Sequence, residues 1–357
     1  MNDPLSPSCD ERRLSLSERR RLLVAALATA ALPVPGLAQP ARPAQSVRPA
    51  QSAQSATDFP SRPIRLVVPF AAGGGPDVLT RQLALRLGEL LGQNVVVENK
   101  VGAGGIIAAE LLAQAAPDGY TLMLGASSHV TQKLLQPSVK FDPLKSFAHI
   151  GCNSLSPSVL VVSAQSPWRT VQQLVDAARA APGKLNYSSG GIGSAAHLSA
   201  AAFATAAGLD VVHVPYRGSV EIIPSIVNEA AQFAFPVSST AVPQLQSGRV
   251  RALAITSAQR FPSLPEVPTL REVFGRDDLV LDAWMGIWAP AGLPEPVRSK
   301  LFEALNRVQE DAALRAVYEK AGALVRSSAS PAEFTRFIES ETAKYARIVT
   351  ASRIEIQ

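Results

Sequence analysis

The stretch Ile64-Arg65-Leu66-Val67-Val68-Pro69-Phe70-Ala71-Ala72-Gly73-Gly74-Gly75-Pro76-Asp77 decides how the chain is read. Apart from Arg65, residues 64–70 form an apolar run rich in β-branched side chains, as a strand covered on both faces requires. Gly73, Gly74 and Gly75 break the run. Pro76 suits the first turn of a helix, and Asp77 falls where a helix start favours an acid. Leu79, Leu83, Leu87, Leu90 and Leu91 then recur with helical spacing. Strand, glycine loop, helix is one unit of an α/β sheet.

The unit repeats outward. Residues 94–98 read as a second strand, 102–105 as a second glycine loop and 106–114 as a second helix. Asp118-Gly119 turns into a third strand, 120–124, ending at Gly125-Ala126-Ser127-Ser128. This βαβαβ order implies a parallel sheet with right-handed crossovers. A long extended stretch, 147–163, follows without helical period. The rhythm then restarts: helix 169–181, strand 185–187, helix 194–207, strand 211–214, helix 219–229, strand 232–235. An extended run at 250–256, a Pro-rich excursion and a strand over 280–290 precede two long helical segments, 296–322 and 331–353. The expected fold class is α/β, with two lobes, each a mainly parallel sheet flanked by helices. Lobe 1 is expected to hold 59–158 plus 255–357, and lobe 2, inserted in it, 159–254. Hinged pairs of lobes commonly close over a ligand.

Composition narrows the function. The 357 residues are 47% hydrophobic and 18% charged, enough apolar matter for a sizeable core and too few charges for disorder. Aromatic residues are only 6%, against a base-stacking platform. The net charge of +5 comes from scattered Lys and Arg, so no nucleic-acid partner is expected. Two cysteines, Cys9 and Cys152, allow neither a disulfide framework nor a zinc site with several thiolates. Cys152 is expected to be a small buried hydrophobe.

The first residues read as an address. Arg12, Arg13, Arg19, Arg20 and Arg21 precede the apolar run 22–32, and Gly36-Leu37-Ala38 supplies small residues for cleavage. Residues 1–38 are therefore expected to be a signal peptide, cleaved near Ala38, and 39–58 a disordered linker of Pro, Ala, Gln and Ser. Arg19-Arg20-Arg21-Leu22-Leu23 fits a twin-arginine pattern loosely, leaving the Sec and Tat routes both open. The mature protein is expected to be soluble and periplasmic.

Glycines and hydroxyls cluster after strands and before helices, at 71–75, 102–105, 125–128, 188–194 and 217–219. Such loops share one edge of an α/β sheet, where ligands bind. Backbone N–H groups and a helix-terminal charge of about +0.5 suit them to carboxylates. The run Ser188-Ser189-Gly190-Gly191-Ile192-Gly193-Ser194 is the densest donor array. Its Gly191-x-Gly193-x-x-Ala196 resembles a dinucleotide fingerprint, but Asp210 precedes the following strand instead of ending it, and that reading is rejected. His129, His149, His197 and His213 form no pair at helical ligand spacing, so no metal or other cofactor is expected. His197 is expected to bond locally and His213 to sit in the core. A triad of Ser188, His197 and Asp210 has nothing in its spacing to favour it. Trp168 is expected to plug a surface, and Trp284 and Trp288, four apart on one strand, to share a face in the core, with the cleft wall as the alternative for either.

Several motifs together resemble the tripartite tricarboxylate transporter receptors, also called Bug proteins. They are Pro60-x-Arg62-Pro63-Ile64-Arg65, Val68-Pro69-Phe70-Ala71-Ala72-Gly73-Gly74-Gly75-x-Asp77 and Val97-Glu98-Asn99-Lys100-x-Gly102-Ala103-Gly104-Gly105. Ala116-Pro117-Asp118-Gly119-Tyr120-Thr121-Leu122, Pro182-Gly183-Lys184-Leu185-Asn186-Tyr187, His213-Val214-Pro215-Tyr216-Arg217-Gly218, Arg251-Ala252-Leu253-Ala254 and Ala289-Pro290-Ala291-Gly292 continue the likeness in order. The resemblance implies a type II-like Venus flytrap periplasmic binding protein, not an enzyme, that captures a small carboxylate by hinge closure. It also implies delivery to membrane permease subunits or signalling to a sensor kinase; a monomer is expected. The implied ligand residues are Ala71, Ala72, Gly73, Gly74 and Asp77 in the first loop, Ser127 and Ser128 in the third, and Ser188, Ser189, Gly190, Gly193, Ser194 and His197 in the second lobe. Val237 and Ser238 complete the set. The family often carries Asp after the strand at 232–235; here Pro236 stands instead, which tilts the expectation away from an amino-acid ligand. The alternative is a secreted serine hydrolase using Ser188 or Ser194 with His197.

Overall fold

The computed structural model describes residues 58–352 and 354. The expected signal at 1–38, its Cys9 and all but the last residue of the expected linker lie outside the described residues.

Two mixed sheets organise the chain. The first is six-stranded, in the order β11-β4-β10-β3-β1-β2, built from β1 (Ile64–Val68), β2 (Val95–Asn99), β3 (Thr121–Ala126), β4 (Phe147–Pro157), β10 (Asp282–Pro290) and β11 (Leu324–Val325). The second is five-stranded, β7-β6-β8-β5-β9, from β5 (Val159–Ser163), β6 (Asn186–Ser189), β7 (Val212–Pro215), β8 (Phe233–Ala234) and β9 (Val250–Ile255). Parallel pairing is confined to β2-β1-β3 and β7-β6-β8. Two of five strand pairs in the first sheet and two of four in the second are parallel, so the sheets are mixed where mainly parallel ones were expected. β10 and β5 run antiparallel to their neighbours, and each follows a strand of the other sheet.

The crossing point is a small hydrogen-bonded knot. Ser158, between β4 and β5, donates its N–H to Thr256 Oγ1 at 2.8 Å and accepts the Thr256 N–H at 2.9 Å. Thr256 Oγ1 donates in turn to the carbonyl of Leu281 at 2.6 Å. The unbroken extended run at 147–163 thus divides at Ser158 into strands of two different sheets.

Helices differ from the sequence reading where charge or proline interrupts them. The segment 296–322 is two helices, α9 (Glu295–Gln309) and α10 (Ala312–Lys320), because Asp311 caps the second through the N–H of Ala313 at 2.8 Å. The segment at 331–353 is one helix, α11 (Pro331–Ala351). The remaining helices are α1 (Gly75–Leu91), α2 (Ile106–Ala113), α3 (Ser127–Leu135), α4 (Val171–Ala180), α5 (Ala195–Ala207), α6 (Ile222–Val227), α7 (Ser238–Gln246) and α8 (Leu270–Phe274). α3 and α7 escape the sequence reading. Each starts on an apolar N-cap, Ala126 or Val237, and α7 contains Pro243.

The aromatic centre of the first lobe is Trp288 on β10. It is fully buried, with Phe147 at 5.0 Å, His149 at 5.2 Å, His129 at 5.5 Å and Trp284 at 6.3 Å between ring centroids. Trp284 and Trp288 share a face, as expected of alternate residues on a strand. Gly125 on β3 leaves the space the indole fills, since a Cβ there would overlap it. Cys152 is buried, and burial pushes its thiol up to about 12, as an inert core residue. Trp288→Ala should destabilise the protein by about 3–5 kcal/mol, the usual cost of emptying a large aromatic site. A urea titration should show a lower midpoint at unchanged slope.

Candidate functional site

Loops from both sheets meet around one cavity of about 90 Å³. A water needs ~10–15 Å³ on this measure, so the space suits a molecule of several heavy atoms. The first lobe contributes Pro69, Phe70, Ala71 and Pro76 around the start of α1, Val101, Gly102, Gly104 and Gly105 before α2, and Ala126, Ser127 and Ser128 at the start of α3. The second contributes Gly190 and Ser194–Ala196, Arg217–Ser219 with Ile222, and Val237. Ala283, Trp284 and Met285 of β10 close one wall. All five loops singled out in the sequence reach this space.

Several glycine amides of these loops are spent on loop shape. Gly73 N–H donates to Asp77 Oδ2 at 2.9 Å, Gly74 N–H to the Ala71 carbonyl at 3.2 Å, and Gly105 N–H to that of Gly102 at 2.9 Å. In the second lobe Gly191 N–H donates to Ser189 Oγ, Gly193 N–H to His197 Nδ1, both at 3.1 Å, and Ser194 N–H to the Gly191 carbonyl at 3.2 Å. The lining also holds the opening turns of two helices, whose first amides have no intrahelical acceptor. Ser127 and Ser128 open α3, and Ala195 and Ala196 open α5.

The cavity's electrostatics favour an anion. Among the described residues its lining includes one that is charged, Arg217, and no Asp or Glu. Two lining residues also hold buried polar atoms without a protein partner, Ser128 Oγ and Trp284 Nε1.

Asp77 stands behind the lining. Its carboxylate accepts Gly73 N–H, Arg81 Nε at 3.0 Å and Asn99 Nδ2 at 2.7 Å. Burial alone would raise its pKa, but hydrogen bonds from Arg81, Asn99 and Gly73 hold the carboxyl below its usual range. Asp77 thus stays ionised and shapes the turn.

Of the other residues implied by resemblance, Ala71, Ser127, Ser128, Gly190, Ser194 and Val237 line the cavity. Ala72, Gly73, Gly74, Ser188, Ser189, Gly193, His197 and Ser238 lie outside that lining. Ser188 is fully buried and accepts a hydrogen bond from Ser225 Oγ at 2.8 Å. Arg217 and Trp284 were not among the expected ligand residues. Arg217 had a signal, its place in a glycine-serine loop after a strand; for Trp284 the cleft wall was the alternative to core packing, and an apolar strand does not tell the two apart.

The model of the tripartite tricarboxylate transporter family receptor matches residues 79–354. The chain belongs to this receptor family. A relative from Pseudomonas sp. strain P51, the UPF0065 protein in the tcbD-tcbE intergenic region, is 34% identical over 83% of this chain and 88% of its own. Among solved structures, the periplasmic binding protein BugD superposes with a TM-score of 0.79 at 31% identity, covering 84% of this chain and 100% of that one. Rpa4515 of R. palustris with adipate gives 0.80 at 31%, covering 84% and 99%. MatC of Rhodopseudomonas palustris with bound malate gives 0.77 at 31%, covering 82% and 100%. The two-lobe periplasmic binding protein fold follows, and the receptor family is one of solute binders.

Behind the second-lobe loop of this receptor lies a pair of stacked imidazoles. His197 and His213 have ring centroids 4.1 Å apart at an interplanar angle of 5°, and Tyr187 stacks on His213 at 4.8 Å. His197 bonds locally, as expected; His213 is half-buried instead of lying in the core, because β7 is an edge strand. Its Nε2 hydrogen-bonds Ser189 Oγ at 2.7 Å. Burial, with the neighbouring His213, pushes His197 down to about 3, and burial pushes His213 down to about 4. The unfolded chain protonates both near pH 6.5, whereas the folded state keeps them neutral. The pair's contribution is thus complete above about pH 6.5 and is lost as pH falls through the folded values. The melting temperature should therefore drop between pH 6.5 and 4, and less steeply in His213→Gln. Equal slopes would remove the pair from this account.

Proposed function

We propose that this receptor captures a small carboxylate, without an ammonium group, between its lobes, and that closure holds it for delivery to a membrane transporter or for sensing. The lobes are taken as 59–158 plus 255–357 and 159–254, after export and cleavage near Ala38. The observation that carries the reading is the convergence of helix-opening amides from both lobes on a space with one cationic and no acidic side chain. Charge-assisted hydrogen bonds to such amides are about twice as strong as neutral ones. A micromolar dissociation constant requires about 8 kcal/mol, within reach of one small acid so held. The missing carboxylate among the lining residues leaves nothing to meet an ammonium group, which agrees with Pro236 where the family often has Asp. Adipate and malate, bound by structural relatives, are the first acids to try.

The hydrolase alternative has little support. Ser194 Oγ accepts the backbone N–H of His197 at 3.3 Å as a helix cap, while the His197 ring accepts from Gly193. The serine that does meet an imidazole, Ser189, is fully buried beside a weakly basic His213. Such a pair offers no nucleophile to a substrate in the cavity.

A thermal-shift series on the mature protein tests the reading. A bound diacid at a hundred times its dissociation constant should add about 2.7 kcal/mol of stability. Adipate or malate should raise the melting temperature and aspartate and glutamate should not. Arg217→Ala should weaken the diacid roughly tenfold, about 1.4 kcal/mol, at unchanged stability of the free protein. No response to any mono-, di- or tricarboxylate, or a preference for the amino acids, would overturn it.

A further inference from the structure

Two neighbouring side chains of α3 reach out of the first lobe into the loop after β6. Thr131 Oγ1 donates to the Gly193 carbonyl at 2.5 Å, and Gln132 Nε2 donates to the Ile192 carbonyl at 2.6 Å. Both residues are only 1% exposed. The carboxamide of Gln132 is itself oriented, its Oε1 accepting from Gln136 Nε2 at 3.0 Å. That orientation puts the amide nitrogen, not the oxygen, against the partner carbonyl.

The space around Gln132 is made by two glycines from different lobes. A Cβ at Gly104, before α2, would overlap its amide group, and a Cβ at Gly193 would come within 2.9 Å of Nε2. Both glycines also have left-handed backbones, with φ of +64° and +75°. Gln132 is thus where the loop before α2, the start of α3 and the loop before α5 meet, and all three loops line the cavity.

We propose that Thr131 and Gln132 are a latch between the lobes, positioning residues that hold the closed arrangement and set the loop before α5 without touching the ligand. On opening, the Gly193 and Ile192 carbonyls lose their buried donors and Gln132 Nε2 needs water in place of its partner, while Thr131 Oγ1 can turn to the Ser128 carbonyl of its own helix at 2.9 Å. The latch therefore biases the ligand-free protein toward the closed form, and the apparent affinity for any guest scales with that population. The proposal rests on reading the cavity as a binding site that closes, yet its bias exists without a guest and can be measured without one.

Small-angle X-ray scattering of the ligand-free mature protein is the direct test, on Gln132→Glu and Thr131→Val. The first keeps the shape but sets a carboxylate against a carbonyl; the second keeps the shape and removes only the hydroxyl. Gly104→Ala, which displaces Gln132 without changing it, is a third route to the same loss. Each variant whose melting transition stays cooperative should show a larger radius of gyration than the wild type. With adipate as probe, the dissociation rate should rise roughly tenfold at a nearly constant association rate. A radius of gyration unchanged in all three would overturn the latch, whatever adipate does. If adipate and the other acids fail to bind at all, the functional reading falls and the scattering comparison still decides the latch.

Discussion

Main-chain N–H groups at the start of a helix cannot be satisfied by the helix itself, and this receptor gathers such starts around one space. α3 from one lobe and α5 from the other each bring two opening amides to the cavity. Their partial positive charge acts on a guest without a strongly hydrated ammonium or guanidinium at every contact. Arg217 adds one full charge, and no lining carboxylate opposes it. Recognition of this kind is general for carboxylates, which accords with relatives that hold acids as different as adipate and malate.

That arrangement needs a rigid frame on each side and a narrow crossing between. Trp288, packed among Phe147, His129, His149 and Trp284, fixes β10 against β3 and β4 and so places the wall of the cavity. Asp77 holds the loop before α1 by tying Gly73, Arg81 and Asn99 to one ionised carboxylate. Between the lobes the chain passes through the bonds of Ser158, Thr256 and Leu281.

Much of this was legible in the residues themselves. β-branched runs, glycine breaks and leucine spacing located β1, α1 and most later units, and all five glycine and hydroxyl clusters reached the cavity. What escaped has physical causes. The lobe boundary at 158/159 fell inside one extended run, and the run itself does not show that it divides into two strands, since only pairing partners tell them apart. α3 and α7 begin on Ala126 and Val237, which carry no capping oxygen to announce a helix. Glycine amides looked like free donors because a sequence does not show which of them the loop consumes for its own turns. Trp284 borders the cavity through tertiary packing alone.

Amide hydrogen exchange, resolved to single residues and recorded with and without saturating malate or adipate, addresses the amides proposed to hold the acid directly. Slowing should concentrate at Ser127, Ser128, Ala195 and Ala196, on both sides of the gap at once. Saturating acid that leaves these four amides exchanging as before, with protection elsewhere or nowhere, would contradict the account.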